Sequence, residues 1–344
     1  MPDSNLHRSL TVAAAKHAAS PSRDRKGAVG SALLSVLWLS AALAAIAFSL
    51  STTVRSETDR ASTALDGLRS YYLAAGAIHR SAIELNWDLT TPAPLHRIPG
   101  PTVDYLFPSG NVRVEIIPES SKLDVNTAIV PELARLALAL GLEPGAAEEL
   151  AAAIDDWRRP IQQMSLFDQY YLSLAPSFRA RHASLQEIEE LLLVKGVTPD
   201  LYYGTYAESA PGAEPRLTPR GGLADCLSVY GARDAVDANT APPAVLAAVG
   251  LNPYAVNALV ERRRVAPLSP QQLFTFLQEA GYQSGRLKIG GGTIVTIRAT
   301  ARLRLDNGQL SDLKRTVAAV VKYNQTGTDT PIHFLRWYDT AWTN

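Results

Sequence analysis

An uninterrupted apolar segment is the strongest feature of the hydrophobic pattern. Residues 28–54 carry no charged side chain, and a helix needs roughly 20 apolar residues to cross a bilayer. Arg23, Arg25 and Lys26 precede the segment, and Arg55 follows it. This basic excess predicts an N-terminus inside the cell and a body outside it, on a single membrane-spanning helix.

Helical periodicity continues beyond the apolar segment. Apolar residues recur at three- and four-residue spacing over residues 65–85, so the same helix is predicted to extend into the body of the protein. Four prolines between residues 92 and 101 are expected to end it. The periodic positions are Leu65, Leu68, Tyr72, Leu73, Ala77, Ile78, Ile83 and Leu85.

Strand patterns lie on both sides of a mainly helical middle. Residues 111–117 alternate between apolar and polar side chains and predict one strand. Residues 293–305 and 313–323, joined by the turn sequence Asp306-Asn307-Gly308, predict a hairpin. Another short strand is expected over 332–337. The predicted fold class is α+β, a long N-terminal helix and an antiparallel sheet with a large inserted helical domain.

The helical middle contains an internal repeat. Residues 123–128 (LDVNTA) match 236–241 (VDANTA), and Gly-x-x-Pro follows at 141–144 and 250–253. Asn and Thr favour a helix N-cap, and Pro favours the first helical turn. Each copy therefore predicts a helix-hairpin-helix unit. The first copy carries an extra segment, roughly residues 158–183, that the second lacks.

The apolar segment has three interpretations. A secretory signal peptide would be removed after small residues such as those at 44–47, and a signal anchor would stay uncleaved. The third interpretation rests on Lys26-Gly27-Ala28, because a basic residue and a glycine before an apolar helix resemble a prepilin peptidase site. In that family cleavage follows the glycine. The predicted processing site is then Gly27 and Ala28, with residues 1–27 as the leader.

Charge argues against a nucleic-acid partner. The chain has 33 Lys and Arg against 33 Asp and Glu, so no overall basic field attracts a phosphate backbone. Helix-hairpin-helix units often bind DNA through Gly-x-Gly-Pro, but Glu143 and Asn252 replace the second glycine. The basic cluster at 262–264 is expected to be a solvated helix end. A membrane-tethered DNA receptor is kept as an alternative function.

Catalytic chemistry has little support in the sequence. The histidines of the mature chain show no spacing typical of a metal site or a triad. The single cysteine, Cys226, excludes an intramolecular disulfide and is expected to be structural. Gly290-Gly291-Gly292-Thr293 lacks the lysine of a P-loop and is expected to be a turn. We therefore expect no enzyme activity.

Several short motifs follow one another in an informative order. After the leader, the apolar helix and the first strand come LDVNTA, AIDDWR at 153–158, QYY at 169–171, EELLLVKGVTP at 189–199 and VDANTAPPAVL at 236–246. In this order, from about residue 27 to the end, the chain resembles the type II secretion minor pseudopilin called general secretion pathway protein K.

That resemblance implies a fold, a role and partners. The fold would be a pilin-like α+β domain with a helical insertion. The role would be non-enzymatic, at the tip of the periplasmic pseudopilus, nucleating the filament for secretion across the outer membrane. The partners would be other minor pseudopilins, prepilin peptidase and inner-membrane lipid, with no nucleic acid. A minor pilin of a type IV pilus is a further alternative.

The resemblance also divides the chain into expected domains. Residues 1–27 would be the prepilin leader and 28–54 the transmembrane helix. Residues 55–117 would hold the helix continuation and first strand, 118–228 the inserted helical domain, and 229–344 the second repeat and the C-terminal strands of the pilin-like domain. The body would lie in the periplasm, anchored to the inner membrane.

Ala32 departs from the pattern of shaft pilins. It would be the fifth residue of a mature chain beginning at Ala28, where shaft pilins usually carry Glu. A carboxylate inside a bilayer is costly, and it is tolerated when it neutralises the N-terminal amine of a neighbouring subunit. A subunit with nothing above it has no such amine to meet. Ala32 therefore favours a place at the filament tip.

Calcium is the one cofactor that the resemblance raises. Family members bind calcium in the loop after Asp-Trp-Arg, and calcium requires six to eight oxygen ligands. Here residues 159–163 replace the expected acidic run, and Asp156 and Asp168 are the remaining candidate ligands, with Asp155 beside them. The alternative is that Asp156 pairs with a neighbouring arginine and that no cofactor binds.

Overall fold

The computed structural model describes residues 25–90, 100–161, 163–208, 217–324 and 331–341. Side chains are not described at 25–31, 88–90, 207–208 and 218. The chain divides into two compact units, Met1–Leu65 and Asp66–Asn344.

One helix, α1 (Arg25–Thr90), contains both the apolar segment and its periodic continuation. The predicted long helix is therefore confirmed. Between residues 66 and 87 its buried face carries small residues, with Ala74, Ala77 and Ile78 fully buried. Small side chains let the helix backbone lie close to the sheet beneath it. The prolines expected to end the helix begin just after Thr90, and most of them lie outside the described residues.

The main sheet is antiparallel and has five strands in the order β1-β2-β9-β10-β11. Their bounds are Thr102–Phe107, Gly110–Pro118, Ile294–Arg304, Leu310–Tyr323 and Ile332–Tyr338. The long alternating strands β9 and β10 place one side chain in two toward α1. Val114, Ala299 and Val317 lie side by side across three strands and are fully buried. Burial of this alternating face joins α1 and the sheet into one core.

A second core lies in the segment between β2 and β9. It is built from short helices and two-residue strands around buried leucines, alanines and valines. The helices are α2 (Val130–Ala139), α3 (Pro144–Arg158), α4 (Leu166–Ser173), α5 (Pro199–Tyr203), α6 (Leu223–Cys226), α7 (Pro243–Ala248), α8 (Pro253–Val265) and α9 (Pro270–Glu279), with 3-10 helices at Glu119–Ser121 and Ile188–Leu193. The strands are β3 (Leu123–Asp124), β4 (Thr205–Glu208), β5 (Leu217–Arg220), β6 (Leu227–Ser228), β7 (Val236–Asp237) and β8 (Leu287–Lys288).

The internal repeat of the sequence is also a repeat of contacts. In the first copy β3 pairs in parallel with β6, and in the second β7 pairs in parallel with β8. A glycine with positive φ follows the first helix of each copy, Gly141 at 86° and Gly250 at 107°. Both copies thus contain two helices joined at a glycine turn. The assignment of these units to the helix-hairpin-helix class stays a prediction.

The N-caps predicted at Asn126-Thr127 and Asn239-Thr240 are wrong. α2 begins after Ile129 and α7 after Pro242, with no side-chain cap at either residue. The Asn126 amide instead donates to Leu185 O (2.9 Å) and accepts from Leu185 N (2.7 Å). Asn239 makes the same pair of bonds with Leu268, at 3.0 and 2.9 Å. The asparagine side chain finds a distant backbone partner, so it is not available to the nearby helix.

The insertion is attached to the main sheet by polar contacts. Arg336 Nη2 on β11 lies 2.5 Å from Glu187 Oε2, just before the second 3-10 helix. Thr296 Oγ1 on β9 donates to Glu119 Oε1 at 2.6 Å. The two copies of the repeat are also tied together, because Arg286 forms a two-pronged ion pair with the buried Glu132 at 2.7 and 3.0 Å.

Candidate functional site

The large apolar side chains in the first half of α1 are exposed in the described part of the first unit. One helix segment, Ala32–Trp87, is long and apolar enough to cross a membrane by length and composition. The exposed residues include Leu33, Leu34, Val36, Leu37, Trp38, Leu39, Leu43, Ile46, Phe48, Leu50 and Val54. Such a surface suits lipid or other apolar helices.

The predicted processing site lies where little is described. Gly27 and Ala28 belong to α1, but the described side chains begin at Ala32. Residues 1–24 lie outside the described residues. The processing site at Gly27 and Ala28 therefore stays a prediction.

The second half of α1 carries an exposed apolar face opposite the face on the sheet. Leu68, Tyr72, Ile83 and Trp87 lie on it, and Tyr72 is 65% exposed. These residues recur at three- and four-residue spacing or its sums, so they share one side of the helix. Gly76 lies between them, with open space where a Cβ would stand. This face has the shape and chemistry of a helix-packing surface.

The loop after α3 begins with a buried arginine. Arg158 Nη2 donates both to the carboxylate of Asp155 (2.8 Å) and to Ala128 O (2.6 Å), and Nη1 donates to Val125 O (2.6 Å). The side chain of Arg158 is 8% exposed, whereas that of Arg159, which also pairs with Asp155, is 66% exposed. The arginine pairing expected for Asp156 is made by its neighbour Asp155.

The two candidate calcium ligands meet at a histidine. Asp156 Oδ2 accepts from Ser165 Oγ at 3.0 Å, and Asp168 Oδ2 accepts from Ser165 N at 2.9 Å in a helix-capping arrangement. His182 lies between them, with Nδ1 3.0 Å from Asp156 O and Nε2 3.0 Å from Asp168 Oδ1. We call Asp156, Ser165, Asp168 and His182 the loop cluster.

The contacts of His182 indicate that both of its ring nitrogens carry a proton. A backbone carbonyl oxygen only accepts, so Nδ1 carries a proton, and an ionised carboxylate only accepts, so Nε2 carries one too. Burial lowers the pKa of His182, but the bonds to Asp168 and Asp156 outweigh it, so the pKa is raised overall. Burial raises the pKa of Asp168, but its bonds to Ser165 and His182 outweigh it and the pKa is lowered. His182 is therefore an imidazolium paired with a carboxylate.

These contacts do not suit a calcium ion. Calcium needs six to eight oxygens directed at one point, and in the loop cluster the carboxylates of Asp156 and Asp168 already accept hydrogen bonds from protein donors. His182 already binds Asp168 Oδ1 and the backbone oxygen of Asp156, two oxygens that a cation in this place would need. No group of three or more His, Cys, Asp or Glu suited to a metal occurs in the described part of the chain.

The arginines at the end of α8 are engaged within the protein. Arg263 is half-buried and donates to Ala238 O (2.8 Å) and Ala241 O (2.7 Å). Arg262 pairs with Glu279, and Arg264 pairs with Glu261. The prediction of a solvated helix end is therefore correct for Arg262 and Arg264. It is wrong for Arg263, which donates to backbone carbonyls of its own repeat copy.

The remaining reactive groups lie in structural positions. Cys226 is buried, and burial raises the pKa of its thiol to about 12, which leaves it protonated and weakly nucleophilic. Gly290 and Gly291, both with positive φ, lie just before β9.

Sequence reasoning did not assign a role to His182. The histidine lies 14 positions after Asp168, and neither residue type nor spacing indicates that the two meet. Its φ of 46° brings the ring back toward the end of α3, and that conformation is visible only in the folded chain.

Comparisons with known proteins agree with this fold. The family model for type II secretion system protein K matches residues 117–204. One similar solved chain belongs to the crystal structure of the GspK-GspI-GspJ complex from the enterotoxigenic Escherichia coli type 2 secretion system. That match has 14% identity and a TM-score of 0.52, and it covers 83% of this chain and 100% of the solved one. No curated protein matches.

The two matches confirm the resemblance predicted from the sequence, to the protein K minor pseudopilins of type II secretion. The family model supports the resemblance over residues 117–204, and the structural match shows the α+β fold.

Proposed function

We propose that this chain is a non-enzymatic minor pseudopilin that lies at the tip of a type II secretion pseudopilus and nucleates its assembly. The observation that carries the proposal is the combination of one long helix, apolar over its first half and exposed along a second apolar face, with a pilin-like sheet that bears a large helical insertion.

The α1 surface supports packing against other minor pseudopilins. Side chains such as Leu37 and Phe48 are exposed in the described part of the first unit, and the face around Tyr72 and Ile83 is exposed in the second unit. Burying apolar surface of this kind against a partner is favourable by about 25 cal/mol per Å². The similar solved chain belongs to a complex of GspK, GspI and GspJ, and we propose equivalent partners for this chain.

Two features support the tip position. Ala32 supplies no carboxylate for the N-terminal amine of a subunit above. The insertion between β2 and β9 is fixed to the sheet through Arg336 and Thr296, so every subunit that stacked on this one would have to accommodate it. A place with nothing above it satisfies both features.

The proposal also implies where the chain lies in the cell and which enzyme processes it. Residues 28–54 would span the inner membrane among lipid, with the body in the periplasm, and prepilin peptidase would cleave after Gly27. The basic residues before the span support this orientation.

The test is co-purification of the full chain, in detergent, with the other minor pseudopilins encoded near it. We expect a complex with one copy of this chain. The double change Tyr72→Ser and Ile83→Ser should weaken the complex, because it removes apolar area from the exposed face. Tyr254→Ser is the matched control, since Tyr254 is at least as exposed but lies on α8. A homopolymer, or labelling along the filament length, would show that the tip assignment is wrong.

A further inference from the structure

The side chain of His182 joins the two ends of the loop after α3. Asp156 lies in the last turn of α3, and Asp168 in the first turn of α4. His182 bridges the two through its ring nitrogens, each at 3.0 Å. The side chains of His182 and Asp168 are 15% and 10% exposed, so the bridge is largely shielded from water.

A calcium ion in this place would make the same connection. It would lie between oxygens of Asp156 and Asp168 and hold the ends of the two helices together. In this chain the ring of His182 occupies that position, with its two nitrogens 3.0 Å from Asp156 O and Asp168 Oδ1, and Arg158 and Arg159 are paired with the adjacent Asp155. The oxygens of Asp156 and Asp168 around this position already accept hydrogen bonds from Ser165 and His182, so a divalent cation would have to displace these donors.

We propose that His182 fixes this loop in place of a calcium ion, so that the loop folds and stays folded without metal. The contacts of the loop cluster do not depend on where the chain lies in an assembly.

The first test uses the unvaried full chain in detergent. Its thermal unfolding, followed by near-ultraviolet circular dichroism, should be the same in excess EGTA and in millimolar calcium. Terbium is a second probe, because Trp157 next to Asp156 would sensitise the luminescence of an ion bound there. We expect no saturable terbium signal at micromolar concentration. A calcium-dependent midpoint, or saturable terbium binding, would overturn the proposal.

The second test changes the histidine. His182→Asn removes the charge and one of the two bonds, and amide exchange across residues 163–183 should become roughly tenfold faster or more, with or without calcium. His182→Asp replaces the imidazolium with a third carboxylate. That variant should be destabilised in EGTA and should regain stability on addition of calcium, because the cation then neutralises clustered negative charge.

Ser184→Asp is the matched control for the charge reversal. Ser184 is exposed and lies two positions from His182, outside the loop cluster, so its variant should show no response to calcium. Unchanged exchange in His182→Asn, or an equal lack of calcium response in His182→Asp and Ser184→Asp, would show that His182 does not hold the place of the ion.

Discussion

At the residue scale, one protonated side chain decides the electrostatics of the loop cluster. His182 faces Asp168 from α4 and Asp156 from α3, and its sequence neighbour Arg181 pairs with Glu190. The carboxylates outweigh the cost of burying the ring, which is the reason that a part-buried histidine carries a charge here.

The pairing of His182 with Asp168 should depend on pH. The raised pKa of His182 means that its stabilisation is fully present below about pH 6.5, its ordinary value, and is lost as pH rises through the higher folded pKa. The lowered pKa of Asp168 means that its contribution is present above about pH 3.9 and is lost as pH falls through the lower folded pKa. The coupling should therefore be largest between these limits.

A double-mutant cycle with His182→Asn and Asp168→Asn measures that coupling. We expect about 2 kcal/mol of coupling near pH 5.5, from chemical unfolding of the full chain, and a much smaller value at pH 9. A coupling energy that stays constant from pH 5.5 to 9 would contradict the charged pair.

At the element scale, each copy of the repeat is closed by an arginine at the end of its second helix. Arg158 donates to the carbonyls of Val125 and Ala128, and Arg263 donates to the carbonyls of Ala238 and Ala241. The two carbonyls of the first copy belong to LDVNTA, and the two of the second belong to the matching VDANTA segment. In each copy, an arginine near the end of the second helix thus holds that helix against the LDVNTA or VDANTA segment.

Each of these two arginines has an exposed arginine beside it, which gives matched controls. Arg158→Gln and Arg263→Gln each remove charged hydrogen bonds to two carbonyls, and each should lower the free energy of unfolding by about 2–3 kcal/mol. Arg159→Gln and Arg264→Gln remove exposed ion pairs and should change it by less than about 1 kcal/mol. Chemical denaturation of the full chain measures all four, and equal effects within a pair would show that the carbonyl contacts do not stabilise the repeat.

The elements that the sequence predicts well are those with long local patterns. α1, β2 and the strands β9 to β11 follow from periodicity over many residues. β1 was not predicted, although Val103, Tyr105 and Phe107 alternate and a turn at 108–110 follows. The pairs β3–β6 and β7–β8 are two residues long and join distant segments, so no local pattern indicates them. Asn126 and Leu185 are also far apart in sequence, at 59 positions, so no local pattern showed that Asn126 would bind Leu185 instead of capping a helix.

At the scale of the whole molecule, the order of features was more informative than any one of them. Lys26-Gly27, an apolar helix and two helical repeats each have several explanations alone. Their succession along the chain led to the protein K resemblance, which the family model and the fold confirm. The candidate calcium ligands Asp156 and Asp168 were also predicted from this resemblance. Their contacts with His182, however, could not be predicted, because no local sequence pattern links His182 to either residue.

The maturation of the chain is the prediction that concerns the whole molecule most directly. Glycine has no Cβ and lets another protein approach its backbone closely, so Gly27→Leu should prevent a peptidase from reaching the bond to Ala28. The apolar residues 28–54 are untouched by this change, so membrane insertion should persist. We expect mass spectrometry of the membrane-extracted protein to show a chain beginning at Ala28, and one that retains residues 1–27 in the variant. Gly30→Leu, three residues further on, is the matched control and should be processed normally. A mature chain that begins near residue 48 would identify a signal peptide instead, and a chain still beginning at Met1 without any substitution would identify an uncleaved anchor.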